Sequence, residues 1–258
     1  MFPKKVFVVQ VCKYSKEEFM SLLIVCAMPQ ELKGICKVLK NVKKHDARLY
    51  TAPTEKGGEI ILAASGVGPV NAACRVLEVN QNYDLEGVLL LGVGGALVEG
   101  MELGDMVVAE RILQHDSRAV FDEGVFYMKP GEYLSSPEQA ETHDPYLYTD
   151  KDLNDFCFEA DKSAVAGTLV TGGEFSGTVE RKLFLAGIAE GAKLVEMEAA
   201  GAAMAAERLG IPFACAKTVA DRLAPEDGAG SIIEDFHITL ERAIAKSAVV
   251  VRHWQETK

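Results

Sequence analysis

Apolar runs of four to nine residues alternate along this chain with segments whose apolar residues recur at helical spacing. The apolar runs cover residues 22–27, 60–64, 88–91, 106–109, 165–171, 194–197 and 211–219. Helical patterns start at Pro29 and cover 69–79, 179–189, 198–209 and 231–254. Continuous apolar strands separated by helices are typical of a parallel sheet buried on both faces. The pattern predicts an α/β protein with a mostly parallel sheet.

Two segments depart from this alternation. Residues 114–162 are polar and rich in turn formers, which predicts a long excursion, partly ordered around a site. Residues 1–19 precede the first strong strand, and their short apolar run is broken by Gln10 with no small-residue cleavage site after it. We therefore predict an N-terminal extension over 1–19, a single domain over 20–258, and a cytoplasmic protein.

Composition narrows the possible partners. The 258 residues are 48% hydrophobic and carry a net charge of −11, which disfavours nucleic acid and anionic membranes but permits a small nucleoside. No apolar run reaches the roughly 18 residues of a membrane span. The six cysteines are scattered without a C-x-x-C pair. This pattern indicates a protein of a reducing compartment, and it predicts no zinc site. We expect no metal and no cofactor.

Glycine pairs follow two of the predicted strands. Neither Gly66-x-Gly68 nor Gly92-x-Gly94-Gly95 has the third glycine of a dinucleotide fingerprint, and no P-loop is present. These glycines fit either tight turns between strands and helices or a backbone floor beneath a flat ligand.

Acidic residues stand where predicted strands end. Glu198 and Asp221 follow apolar strands that we expect to be neighbours, an arrangement that is unfavourable unless a ligand needs it. Both also fit ordinary first-turn acids, as does Glu31 after the first strand. Partial burial would favour the protonated form of Asp221 and let it donate a proton.

Other candidates carry less weight. His115 fits a structural role better than a catalytic one, and Phe175 fits base stacking and core packing equally well. No serine or cysteine stands in a nucleophile-elbow context, which disfavours acyl transfer.

Taken in order, these residues resemble the nucleoside phosphorylase/nucleosidase superfamily, and within it the 5′-methylthioadenosine/S-adenosylhomocysteine nucleosidases. The resemblance covers about residues 21–250. It rests on Ala27-Met28-Pro29-Gln30-Glu31, Ser65-Gly66-Val67-Gly68, Gly92-Val93-Gly94-Gly95, Gly104-Asp105-Met106-Val107-Val108, His115-Asp116, Gly172-Gly173-Glu174-Phe175, Val195-Glu196-Met197-Glu198 and Val219-Ala220-Asp221.

The resemblance implies a three-layer α/β/α sandwich with a mixed, mostly parallel sheet. It also implies cleavage of the N-ribosidic bond of a 5′-substituted purine nucleoside through an oxocarbenium-like transition state. By position, Asp221 protonates the purine at N7, Glu198 binds the ribose hydroxyls, and Glu31 activates the attacking water. An acid for the leaving base and a carboxylate for the cationic sugar suit this reaction.

The same resemblance assigns the remaining contacts. Phe175 stacks on the base, Met197 packs under the ribose, and the 5′ substituent meets Met28 and Val67. The further substrate contacts are Val93, Gly94 and Glu196. We also expect a homodimer, because that branch is dimeric and borrows part of its 5′ pocket from the partner.

Water is favoured over phosphate as the nucleophile. Phosphorylases of the superfamily carry an arginine before the glycine-rich turn and a serine inside it, where this chain has Leu90 and Val93. Residues 26–33 contain no arginine either, and a buried phosphate without a cation is unfavourable.

Three positions differ from the pattern of the resembling family and leave the substrate unassigned. This chain has Lys217 where the family has an arginine, Ala220 where it has a serine that orients the acid, and Val93 where it has a serine beside the base. Futalosine hydrolase remains an alternative, although that branch tends to carry asparagine where Asp221 stands. A hopanoid-associated branch, a purine nucleoside phosphorylase and a non-catalytic nucleoside-binding protein also remain open.

Overall fold

The computed structural model describes residues 21–223 and 228–258, without the side chains of 228–239. The predicted extension at 1–19 lies outside the described residues. The strands are β1 Ser21–Cys26, β2 Lys43–Lys44, β3 Leu49–Pro53, β4 Glu59–Ala64, β5 Gly87–Ala96, β6 Met106–Gln114, β7 Arg118–Phe121, β8 Gly124–Tyr127, β9 Tyr146–Tyr148, β10 Val165–Thr171, β11 Ala192–Glu196 and β12 Phe213–Asp221. The helices are α1 Pro29–Cys36, α2 Pro69–Asn80, α3 Pro137–Glu141, α4 Lys151–Ala160, α5 Val179–Gly187, α6 Ala199–Leu209 and α7 Gly228–Thr257.

The predicted mixed sheet is confirmed. Its strands run in the order β11-β10-β6-β12-β5-β1-β4-β3-β2, and β9 pairs with β6. The five pairings β1–β4, β1–β5, β5–β12, β6–β10 and β10–β11 are parallel. Strand β1 shows why apolar residues run without interruption, because Leu23 and Val25 pack on one face while Leu22 and Ile24 pack on the other.

Helices cover both faces of this sheet, which confirms the three-layer α/β/α architecture. Helices α2 and α6 pack against one face, and α1, α4 and α7 pack against the opposite face. Helix α5 packs against β11. Gly201 lets α2 and α6 approach closely, since a Cβ there would lie 1.8 Å from the Pro69 carbonyl oxygen.

Strands β11 and β12 are not neighbours, contrary to the prediction. The end of β5 lies between them, and Gly95 pairs with Val195 of β11 and with Asp221 of β12. The extra β5–β11 pairing closes β11, β10, β6, β12 and β5 into a ring. Their acidic ends therefore converge on one glycine-rich segment.

Residues 92–95 do not form a turn before a helix, because β5 continues through them to Ala96. Glycine is required there by close packing. A Cβ on Gly94 would lie 2.0 Å from Leu194 Cδ2, and one on Gly92, whose φ is +145°, would lie 2.8 Å from Glu31 Oε1. The alternative of a backbone floor agrees with this geometry, whereas the turn does not.

The excursion at 114–162 contains more regular structure than the pattern predicted. It holds the β7–β8 hairpin, α3, β9 and the ten-residue helix α4. The prediction missed α4 because its short segment mixes charged and apolar residues, although the charged residues lie off the buried face. Asp150 caps its N-terminus by accepting a hydrogen bond from the Leu153 amide at 3.0 Å.

The prediction also missed β2 and β3, which extend the sheet beyond β4 by antiparallel pairing. Within the described ranges 21–223 and 228–258, no helix is both long and apolar enough to cross a membrane.

Candidate active site

A cavity of about 150 Å³ opens at the carboxyl ends of β1, β4, β5, β10, β11 and β12. Open α/β sheets bind ligands at this edge. All ten residues named from the sequence line the cavity: Met28, Glu31, Val67, Val93, Gly94, Phe175, Glu196, Met197, Glu198 and Asp221. Its lining includes none of residues 114–162, so the excursion predicted to surround the site lies elsewhere in this chain.

Glu31 is a buried carboxylate in the first turn of α1. Its side chain is 2% exposed, and its Oε2 accepts a hydrogen bond from the Met28 amide at 2.8 Å. Its Oε1 has no hydrogen-bond partner among the described residues. Burial raises the pKa of Glu31 to about 7, Glu198 adds to the rise, and Lys217 opposes it. A carboxylate with this pKa and an available oxygen suits a general base at neutral pH.

Lys217 lies among the glutamates of the site and is 1% exposed. Its ammonium nitrogen is 3.0 Å from Glu198 Oε2 and 3.2 Å from Glu196 Oε2. Burial works to lower the pKa of Lys217, but Glu198 and Glu196 outweigh it and hold that pKa well above its ordinary value. The lysine is therefore charged, and it compensates two buried carboxylates that no other described cation contacts.

The two glutamates of the Val195–Glu198 motif have different partners. Glu196 accepts hydrogen bonds from the Glu198 and Ala199 amides at 2.9 to 3.1 Å, so it caps α6. Glu198 accepts a hydrogen bond from the Gly68 amide at 3.0 Å, and that glycine has a φ of +101°. This contact joins the loop after β4 to the start of α6 and fixes the Glu198 carboxylate at the cavity wall.

Asp221 ends β12 and is 5% exposed. Its Oδ1 accepts a hydrogen bond from the ammonium group of Lys182, a residue of α5. Gly95 makes room for this carboxylate, since a Cβ there would lie 2.8 Å from Asp221 Oδ1. The carboxyl group of Asp221 is thus buried, as expected from the sequence.

The loop between β10 and α5 forms another wall. Phe175 lines the cavity although it is 62% exposed, so it is not a core residue. Its neighbour Glu174 pairs with Arg181 through two contacts at 2.6 and 3.0 Å. The Gly173 amide donates to Asp116 Oδ2 at 2.8 Å, which ties the loop to the end of β6.

His115 does not line the cavity. It is buried against Gly172, where a Cβ would lie 2.2 Å from its Nε2, and burial lowers its pKa. This packing agrees with the structural role favoured from the sequence.

Three charged residues of the site were not predicted as members of it. Lys217 and Glu174 line the cavity, and Lys182 contacts the predicted acid from behind. The sequence carried a signal for Lys217, because a lysine inside an otherwise apolar strand is rarely buried without a partner. Lys182 gave no such signal, since an exposed helix face carries lysines equally well.

The charge of the cavity is negative. Five acids line it, and the lining within the described residues contains one cation, Lys217, which already pairs with two of them. Leu90 is fully buried and does not reach the cavity, whereas Val93 lines it. An electronegative pocket with an apolar floor suits a cationic sugar better than a phosphate ion.

Comparison with known proteins agrees with this fold. The family model of the phosphorylase superfamily matches residues 21–255. A 5′-methylthioadenosine/S-adenosylhomocysteine nucleosidase of Staphylococcus aureus is 26% identical over 231 residues, which cover 88% of this chain and 96% of the relative.

Two solved structures have the same fold. The 5′-methylthioadenosine/S-adenosylhomocysteine nucleosidase of Neisseria meningitidis, in complex with methylthio-immucillin-A, superposes with a TM-score of 0.75 at 25% identity, covering 93% of this chain and 100% of that one. The futalosine hydrolase of Helicobacter pylori superposes with a TM-score of 0.74 at 23% identity, covering 91% of this chain and 97% of that one. The chain belongs to the phosphorylase superfamily, and it is an enzyme of that superfamily.

Proposed function

We propose that this protein hydrolyses the N-ribosidic bond of a 5′-substituted purine nucleoside of the methylthioadenosine or S-adenosylhomocysteine type. One observation carries the proposal. Glu31, Glu198 and Asp221 converge from separate elements on a single cavity. The names of the relatives in Staphylococcus aureus and Neisseria meningitidis support this substrate class.

In this proposal, each acid serves a different part of the transition state. Asp221 transfers a proton to N7, so that the purine leaves as a neutral base. Glu198 binds the ribose hydroxyls, and its negative charge stabilises the cationic ring. Glu31 accepts the proton of the attacking water through its buried Oε1. Phe175 covers the base from the exposed side of the cavity.

Water is the proposed nucleophile because Lys217, the one cation of the cavity lining within the described residues, is already paired. Lys217 is held by Glu196 and Glu198, and bringing a phosphate dianion among five acids would be strongly unfavourable. The test is base release from methylthioadenosine, S-adenosylhomocysteine, inosine and futalosine, each with and without phosphate.

We expect adenine release from the two thio-nucleosides at a rate that phosphate does not change. Hypoxanthine release from futalosine alone would replace this proposal with futalosine hydrolysis. That activity is the named one of the Helicobacter pylori neighbour. A strict requirement for phosphate would contradict the proposed water nucleophile.

The pH dependence of turnover should report Glu31. Because Glu31 must be ionised to accept a proton and its pKa is about 7, kcat/KM should fall about tenfold per unit as the pH drops below 7. Glu31→Gln should lower kcat by about 10²- to 10⁴-fold and flatten the residual pH profile across this range. The matched control Glu78→Gln, at an exposed carboxylate of α2, should keep both the rate and the profile. If kcat/KM of Glu31→Gln still fell about tenfold per unit below pH 7, the pH dependence would belong to another group.

We further propose a cytoplasmic homodimer. Phe175 and Val67 line the cavity with 62% and 49% of their surfaces exposed, and Leu183 and Phe184 expose about half of theirs on the adjacent helix. A second copy that covered this apolar rim would also narrow the cavity mouth. Light scattering should give about twice the 27.9 kDa of one chain. A mass of one chain at micromolar concentration would contradict the dimer.

A further inference from the structure

Lys182 is a fully buried lysine near the N-terminus of α5, with none of its surface exposed. A cation at this end of a helix opposes the helix dipole, and burial adds a desolvation penalty. Its ammonium group donates to Asp221 Oδ1 and, at 3.2 Å, to the carbonyl oxygen of Arg222. The lysine does not line the cavity, so it contacts Asp221 from the protein side.

Lys182 donates to Asp221 where the preceding residue has no side-chain donor. Residue 220, beside the proposed acid, is an alanine. An alanine methyl group cannot donate a hydrogen bond. Lys182 donates one to the same carboxylate from a different element, 39 residues away in the chain.

The pair also places a transferable proton beside the proposed acid. The ammonium group of Lys182 carries the N–H that contacts Asp221 Oδ1. A carboxylate without a proton cannot protonate N7 by itself, and a neighbouring donor can supply one. We propose that Lys182 is the positioning residue of Asp221 and holds the proton that this pair passes to the purine, an inference that rests on the proposed hydrolysis.

The proposed step is balanced. Lys182 first passes a proton to Asp221. As the C1′–N9 bond then breaks, its electron pair moves onto the purine, and N7 takes that proton from Asp221. Lys182 is left as a neutral amine, and one N–H bond on the base replaces one on the lysine. Water adds to C1′ and gives a proton to Glu31. Glu31 then releases that proton to solvent, and solvent restores the proton of Lys182 through Asp221.

Two variants separate proton delivery from charge. Lys182→Met removes the ammonium group at similar volume, whereas Lys182→Arg keeps the charge but cannot release a proton. Each is assayed with 5′-methylthioadenosine and with the 4-nitrophenyl glycoside of 5-methylthioribose, whose leaving group departs as a stable anion. We expect kcat for the purine substrate to fall about 100-fold in both variants, with KM within about threefold, and the nitrophenyl glycoside to be cleaved as before.

Controls establish that the site is intact. Lys151→Met, at an exposed lysine of α4, should leave both rates unchanged. Binding of the 7-deaza analogue 5′-methylthiotubercidin, which has no N7 to protonate, should stay within about threefold in every variant. Thermal unfolding identifies any variant that does not fold. If Lys182→Met does not fold, Lys182→Arg tests the inference by the ratio of kcat for the purine substrate to kcat for the nitrophenyl glycoside.

Three results would overturn the inference. Purine turnover retained by Lys182→Arg would show that the charge suffices without a transferable proton. Equal losses for both substrates together with weaker analogue binding would show a purely structural lysine. Absence of base release by the unaltered protein from any nucleoside would contradict the proposed function, and the inference with it.

Discussion

Asp221→Asn is expected to abolish turnover while leaving nucleoside binding nearly intact. The amide cannot pass a proton to the leaving base, and general acid catalysis contributes about 10²- to 10⁴-fold, so kcat should fall by about three orders of magnitude. The amide oxygen still accepts the hydrogen bond of Lys182, so the buried lysine keeps a partner. The affinity for the non-cleavable 7-deaza analogue should change by less than about tenfold.

The measurement pairs base release under single-turnover conditions with calorimetric titration of the analogue. Asp155→Asn is the matched control, because this exposed aspartate of α4 pairs only with Lys151 among the contacts described. It should retain full activity. An Asp221→Asn protein with normal turnover would remove Asp221 from the mechanism. A protein that binds nucleosides but never turns them over, before any substitution, would be the non-catalytic alternative.

Lys217→Met is expected to be the most destabilising single substitution in the site. The change leaves Glu196 and Glu198 buried at 4% exposure without the ammonium group that lies 3.2 and 3.0 Å from them. Removing one partner of a buried ion pair lowers the free energy of unfolding by about 3–5 kcal/mol. Activity should fall as well, because Glu198 loses the contact that fixes one of its oxygens.

Urea denaturation at pH 7 tests this prediction. The control Lys151→Met removes an exposed ammonium group and should not move the denaturation midpoint. A Lys217→Met protein as stable as the unaltered chain would show that the two glutamates are compensated by other means.

The order of elements and the identity of the acids were readable from the sequence because both depend on local pattern. Uninterrupted apolar runs occur where a strand is covered on both faces, and the strand at 22–26 has one set of side chains in each core. The ten named residues were found because their motifs resemble those of a known superfamily, and these motifs lie where the strands end at one edge of the sheet.

Only the tertiary structure decided the register of the strands, the closure of five of them into a ring, and the pairing of strands distant in sequence. The strand that ends in Glu196 and the strand that ends in Asp221 meet through Gly95 of β5, not directly. The helix over 151–160 was missed because its polar face dominates a short segment, although its caps and buried residues hold it against the sheet.

The burial of Lys182 could not be predicted from the sequence. A lysine next to an arginine on a helix is expected to be solvent-exposed, and local sequence carries no information about a carboxylate 39 residues away. Hydrophobic periodicity and strand-end acids are properties of neighbouring residues, so the sequence determined the fold class and the acids of the site. Ion pairs between separate elements depend on how the whole chain packs, so the partners that set the charge of those acids were decided by the tertiary structure.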